Sequence, residues 1–82
     1  MDELVKKEYL KLAVKVFPVL TKKQALPVLF FFIFGRDEAA RQLGISVNTV
    51  KSSVRRARVT LRRREGDELE SYFLRRLLES LK

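Results

Sequence analysis

Apolar residues recur at spacings of three and four through most of the chain, the pattern of helices that bury one face. Val5, Tyr9, Leu12 and Val16, with Ala13 beside them, form the first such stripe, and Asp2 stands ahead of it as an N-cap. Phe17-Pro18 closes this helix, because a residue before proline disfavours the helical region. Thr21 is placed to cap a second helix, with Gln24 at its third position in a capping-box arrangement. Pro27 lies more than a turn inside that helix, where it either kinks it or moves its effective start. The run from Val28 to Phe34 reads VLFFFIF, apolar all the way round a helix, so it must be covered on more than one side. A buried β-strand is the competing reading of so short an apolar run.

Gly35 ends that element. A short amphipathic helix is expected from Arg36 to Leu43, with Asp37 and Glu38 in its first turn, where the helix dipole favours carboxylates. Gly44 breaks it and Ser46 caps the next helix, which runs from Val47 to about Arg64. Glu65-Gly66-Asp67 interrupts the chain before a last helix from about Asp67 to Leu81, which carries Leu69, Phe73, Leu77 and Leu81 with Leu74 and Leu78 beside them. The expectation is an all-α fold of about five helices in one domain. It comprises an N-terminal helix in 1–19, a core in 20–64 holding a helix-turn-helix from Arg36 to Arg64, and a C-terminal helix in 67–82.

Charge changes this picture from a fold to a binding protein. The 82 residues carry a formal charge of +8, and it is unevenly spread. Residues 24–64 hold nine basic residues and two acids, whereas residues 65–82 hold three basic residues and five acids. A domain this basic favours polyanions, either nucleic acid or an anionic membrane surface. With no Cys and no His, disulfide frameworks, thiolate chemistry, zinc fingers and the imidazole base all drop out. The carboxylates sit in first-turn positions of helices, and Gly35, Gly44 and Gly66 are too isolated to form a phosphate loop. No enzyme activity, cofactor, metal or small-molecule substrate is expected. The longest apolar stretch, ten residues from Ala25 to Phe34, is half of the roughly 20 needed to span a bilayer. The acids at positions 2, 3 and 8 replace the basic start of a signal peptide, so a cytoplasmic protein is expected.

The segment RDEAARQLGISVNTVKSSVRRARVTL, Arg36 to Leu61, carries the functional signal. Ala40 supplies the small residue where two helices cross closely, Gly44 the turn residue that tolerates positive φ, and Leu43, Ile45, Val47, Val50 and Val54 the anchors. At about 100° per residue, Val47, Val50, Val54, Ala57 and Leu61 share one face of the second helix. Asn48, Lys51, Ser52, Arg55 and Arg62 lie opposite, with Arg56 and Arg63 flanking them. The first turns of such a helix enter the major groove and the remainder crosses the backbone. Asn48, Thr49, Lys51, Ser52 and Arg55 are therefore the candidates for base contacts. Ser46, Arg56, Arg58, Arg62, Arg63 and Arg64 are the candidates for phosphate. Val59 is the exception, a valine projecting away from the core face of its own helix.

LGISVNTVKSSVRRARVTLRR, with LTKKQ upstream, resembles region 4 of bacterial sigma factors, the extracytoplasmic-function type above all, and LuxR-type regulators share the module. The motif residues are GIS-x-x-TVKS from Gly44 to Ser52 and RAR from Arg56 to Arg58, and the resemblance runs from Leu20 to about Arg64. It implies a helical domain whose helix after Ser46 reads promoter-like DNA; the alternative is an interaction module that binds RNA polymerase or an anti-sigma-like protein through its apolar helices, with DNA binding secondary. The chain departs from the pattern in Glu38-Ala39-Ala40 where Glu-Ile-Ala is usual, in the compressed turn at Gly35-Arg36, and at Pro27 and Phe31. Since 82 residues leave no room for a second sigma-factor domain, an isolated region 4-like module or a small stand-alone regulator of plasmid or virus type is expected. The lack of Cys, one Asn and two Gln fit a thermophile. The excess of apolar side chains, in the 28–34 run or in the last helix, points to a homodimer.

Overall fold

A computed structural model describes residues 2–81. Five helices follow in order: α1 (Glu3–Val16), α2 (Lys22–Phe34), α3 (Arg36–Leu43), α4 (Val47–Glu65) and α5 (Leu69–Ser80), with no strand among the described residues. The fold is all-α, as the periodicity implies. None of the described helices is long and apolar enough to cross a membrane.

Local chemistry sets most of the boundaries. Asp2 accepts from the N–H of Leu4 at 3.0 Å, and Thr21 Oγ1 accepts from the N–H of Gln24 at 3.3 Å. The second helix neither shifts its start nor breaks at Pro27; it runs through from Lys22. The proline removes the N–H that would meet the carbonyl of Lys23, and Lys23 lies at the exposed surface, where water can take that carbonyl. The VLFFFIF run is helical, not a strand, because α2 is covered from several sides: it packs on α1, α3 and α4.

Aromatic side chains hold α1, α2 and α5 together. Phe17, fully buried at the end of α1, stacks near Phe32, Tyr72 and Phe73 at centroid distances of 6.5, 6.2 and 5.9 Å. Phe32 and Phe73 lie almost parallel at 4.3 Å, and Tyr9 meets Phe30 edge-on at 5.0 Å. Each such pair adds about 0.5–1.5 kcal/mol beyond the area it buries. The phenylalanine run is thereby distributed: Phe30 is buried, Phe31, Phe32 and Phe34 are partly covered, and Ile33 faces out.

Three expectations are corrected here. Val5 is no part of the core, being half-exposed one turn into α1. The last helix begins at Leu69, not Asp67, because Gly66 in the left-handed region turns the chain and Glu68 takes the N-cap position. It ends at Ser80, so Leu81 lies past the last turn and is exposed.

Candidate nucleic-acid interface

The site is built from α3, the turn at Gly44 and α4. Arg36 to Leu43 form α3, buried through Ala39 and Ala40. Glu38 accepts from Arg41 and Gln42 on its own helix, at 2.8 and 2.6 Å. These hydrogen bonds, Arg41's first, hold its carboxyl below the usual carboxylate range. Gly44 has φ +67°, a left-handed conformation that costs a side-chain-bearing residue roughly 1–2 kcal/mol. The N–H of Gly44 donates to Arg41 O at 3.3 Å and that of Ile45 to Ala40 O at 3.0 Å, which is the Schellman pattern. Ser46 then starts α4, its Oγ accepting from Thr49 N–H at 3.1 Å and sharing a 2.8 Å hydrogen bond with the Thr49 hydroxyl.

Within α4, Val50, Val54, Ala57 and Leu61 are buried and Val47 partly so. Asn48, Lys51, Ser52, Arg55, Arg56, Arg63 and Arg64 are exposed. The same helix therefore shows an aliphatic side to α2 and α3 and a side of amides, hydroxyls and guanidinium groups to solvent. Val59, 48% exposed, lies among the cations, in a shallow depression bordered by Arg55, Arg58, Arg62 and Arg63.

Two of the seven basic residues between Lys51 and Arg64 have acidic partners that helical spacing does not reveal. Arg58 Nη1 lies 2.6 Å from Glu70, and Arg62 Nη2 lies 3.2 Å from Glu68. Both acids come from the start of α5, folded back along α4. Partial burial raises the pKa of Glu70, but its own backbone N–H and Arg58 outweigh this and hold it below the ordinary range. Among the described residues Arg55, Arg56, Arg63 and Arg64 form no ion pair, so the unopposed charge lies on the outward side of the helix.

Polar residues outside the motif join both flanks. Lys23 and Gln24 from the first turn of α2, with Thr21 at its N-cap, line a cleft with Thr49, Ser53 and Arg56. On the opposite flank Arg36 joins Lys51, Arg55 and Arg58. Neither Lys23, Gln24, Ser53 nor Arg36 stands out by spacing along α4; the capped start of α2, which sets Lys23 in a first turn, was the available signal. Among the described residues no three potential metal ligands converge.

A capped, exposed helix held at its aliphatic side by a preceding short helix and a glycine turn defines a helix-turn-helix DNA-binding domain. The chain belongs to the sigma-70 region 4 family, whose model matches residues 17–61. That stretch begins just past α1 and takes in all of α2 and α3, and α4 as far as Leu61. Region 4 is a DNA-binding, regulatory domain and not a catalytic one. No match was found among curated proteins or among solved structures.

Proposed function

We propose that this chain is a sequence-specific transcription regulator that reads double-stranded DNA in the major groove with α4. One observation carries the reading: Asn48, Lys51, Ser52 and Arg55 all face solvent on the first turns of a helix whose other side is buried. Asn suits adenine, and Arg and Lys suit guanine, at the major-groove edge. Arg56, Arg63 and Arg64, with Ser46 at the cap, would meet phosphate. Thr49 shares its hydroxyl with Ser46, which favours a supporting role for it over base contact. Arg58 and Arg62 would exchange Glu70 and Glu68 for phosphate on binding. The protein would act where DNA is transcribed, in the cytoplasm.

In this reading the protein works as a homodimer on a palindrome with half-sites about one turn of DNA apart. Leu74, Leu78 and Leu81, 58%, 63% and 74% exposed at spacings of four and three, support α5 as the contact, since the aromatic run of α2 is largely covered within the chain. Selection of bound duplexes from a random pool tests the DNA reading. Enrichment of one short motif supports it, and a pool that stays random removes it. Light scattering that reads a monomer at tens of micromolar would remove the dimer.

A second reading draws on the same exposed leucines and on Ile33: RNA polymerase or an anti-sigma-like protein is the main ligand, with DNA secondary. Capture of polymerase by a protein that gives no gel shift would favour it.

A further inference from the structure

We propose that Val59 is a specificity-determining residue that reads the 5-methyl group of a thymine in the major groove, one turn of α4 beyond Arg55. The inference rests on the DNA reading of α4 and carries the base-reading stripe past the first turns of that helix. At about 100° per residue, Asn48, Ser52, Arg55 and Val59 fall within about 60° of one another around the axis. On the same count Val59 stands about 170° from the middle of the side buried by Val50, Val54, Ala57 and Leu61. The valine therefore points where the candidate base-reading side chains point.

Its surroundings are cationic. Val59 lies in a shallow depression with Arg55 and Arg63, one turn before it and one after, and with Arg58 and Arg62 on one flank. Arg58 and Arg62 are tied to Glu70 and Glu68 of α5, whereas Arg55 and Arg63 form no ion pair among the described residues. Val59 is 48% exposed, and among the described residues α4 exposes no other large apolar side chain. Neither core packing nor helix propensity accounts for a valine here: the core lies on the opposite side, and a β-branched residue is a poorer helix former than arginine or lysine. On a helix its two methyl groups are held in one strongly preferred rotamer, so contact with a third methyl costs little further ordering.

The thymine methyl is the apolar group that a duplex presents at the major-groove edge, and phosphates border that groove on both sides. A hydrocarbon floor between guanidinium groups matches both features at once. A sugar-phosphate backbone alone would satisfy the arginines and leave the valine in water. A protein partner would gain one valine, a residue type under-represented among interface hot spots, at the expense of dehydrating the surrounding cations. A bilayer rewards bulky apolar side chains that stand clear of the charges, whereas Val59 is a short side chain ringed by longer ones. The four residues from Arg55 to Val59 span about 6 Å of helix, roughly two base-pair steps.

The test compares wild type with Val59→Ala, first by selection of bound duplexes from a random pool. Each thymine of the preferred site is then replaced, one at a time, by deoxyuridine, which keeps the hydrogen-bonding edge and lacks only the methyl. One replacement, about two base pairs from the position that Arg55→Ala relaxes, should lower wild-type affinity about fourfold, or about 0.8 kcal/mol. Val59→Ala should bind thymine and uracil alike at that position and cease to enrich thymine there, with its other preferences kept. Circular dichroism checks that the variant remains helical, and its salt slope should equal that of wild type, since the valine meets no phosphate. The proposal is overturned if the preferred site holds no such thymine, if no replacement weakens wild type, or if Val59→Ala shows the same loss. A shallower salt slope in the variant overturns it too, because the valine would then act only by propping its arginine neighbours. Each of these outcomes leaves the α4 reading standing, whereas a wild-type pool that stays random removes that reading and this inference together.

Discussion

Arg76 Nη2 donates to the main-chain oxygen of Lys15 across 3.0 Å, so the last helix closes the C-terminal end of the first. That carbonyl belongs to the final turn of α1, whose C=O groups have no partner within the helix. The cation also lies at the negative end of the α1 dipole. Nη1 of the same guanidinium reaches Glu79 at 3.4 Å. A planar fork serves both acceptors together, which an ammonium group on a single stem cannot do.

Arg76→Ala should therefore lower the stability of the whole chain by about 1.5–3 kcal/mol, the range of a hydrogen bond to a charged group. Arg76→Lys should restore less than half of the loss. Urea unfolding followed by far-ultraviolet dichroism measures both, and an unchanged midpoint for the alanine variant would show that the contact contributes nothing.

Arg55 and Arg63 are both exposed, but eight residues of α4 separate them, about 12 Å of helix. Arg55→Ala should cost about 1–3 kcal/mol on a preferred duplex and relax its preference. Arg63→Ala should weaken preferred and random duplexes alike and reduce the salt slope by about 1. Titrations at several salt concentrations separate the two, and identical behaviour of the variants would remove the distinction between base and phosphate contacts.

On the proposed DNA reading, Glu70 would compete with phosphate for Arg58, with which it pairs at 2.6 Å. Glu70→Gln should free that guanidinium, strengthen binding to all duplexes severalfold, and steepen the salt dependence. The same carboxyl sits below its ordinary pKa in the folded chain. Its contribution to stability is therefore present above the ordinary carboxylate range and lost as pH falls through the lower, folded value. For a half-exposed pair this is a few tenths of a kcal/mol. Wild type should lose slightly more stability than Glu70→Gln on acid titration below about pH 4.5; parallel curves would show that the pair is idle.

No neighbouring atom stands within 4 Å of the position a Cβ would take at Gly44. The cost of Gly44→Ala is thus backbone strain alone, roughly 1–2 kcal/mol. Thermal unfolding should register it as a lower midpoint, and Gly44→Asn should cost less because Asn tolerates the left-handed region. Equal stability of glycine and alanine at this position would mean that the turn had rearranged.

What could be read before the structure rests on local chemistry. Asp2, Thr21 and Ser46 act as caps within three residues of the groups they satisfy, and Gly44 imposes its turn wherever the helices go. The bounds of α3 and the buried side of α4 follow from the same short-range logic. The pairing of Arg58 and Arg62 does not, because it depends on how α5 folds back past Gly66. The same holds for Lys23, whose place beside Arg56 is set by the packing of α2 on α4. Pro27 could not be resolved by propensity; tertiary cover of α2 decides that the helix continues.

Val59 gives the cationic face of α4 a thermodynamic character that its arginines alone would lack. Neutralising phosphate with guanidinium groups is driven chiefly by counterions returning to bulk solution. A ligand that also covers this half-exposed valine removes hydrocarbon from water, which adds a negative change in heat capacity. The heat of association with a well-fitted duplex should thus grow more exothermic on warming, and Val59→Ser should flatten that trend while leaving the electrostatic component in place.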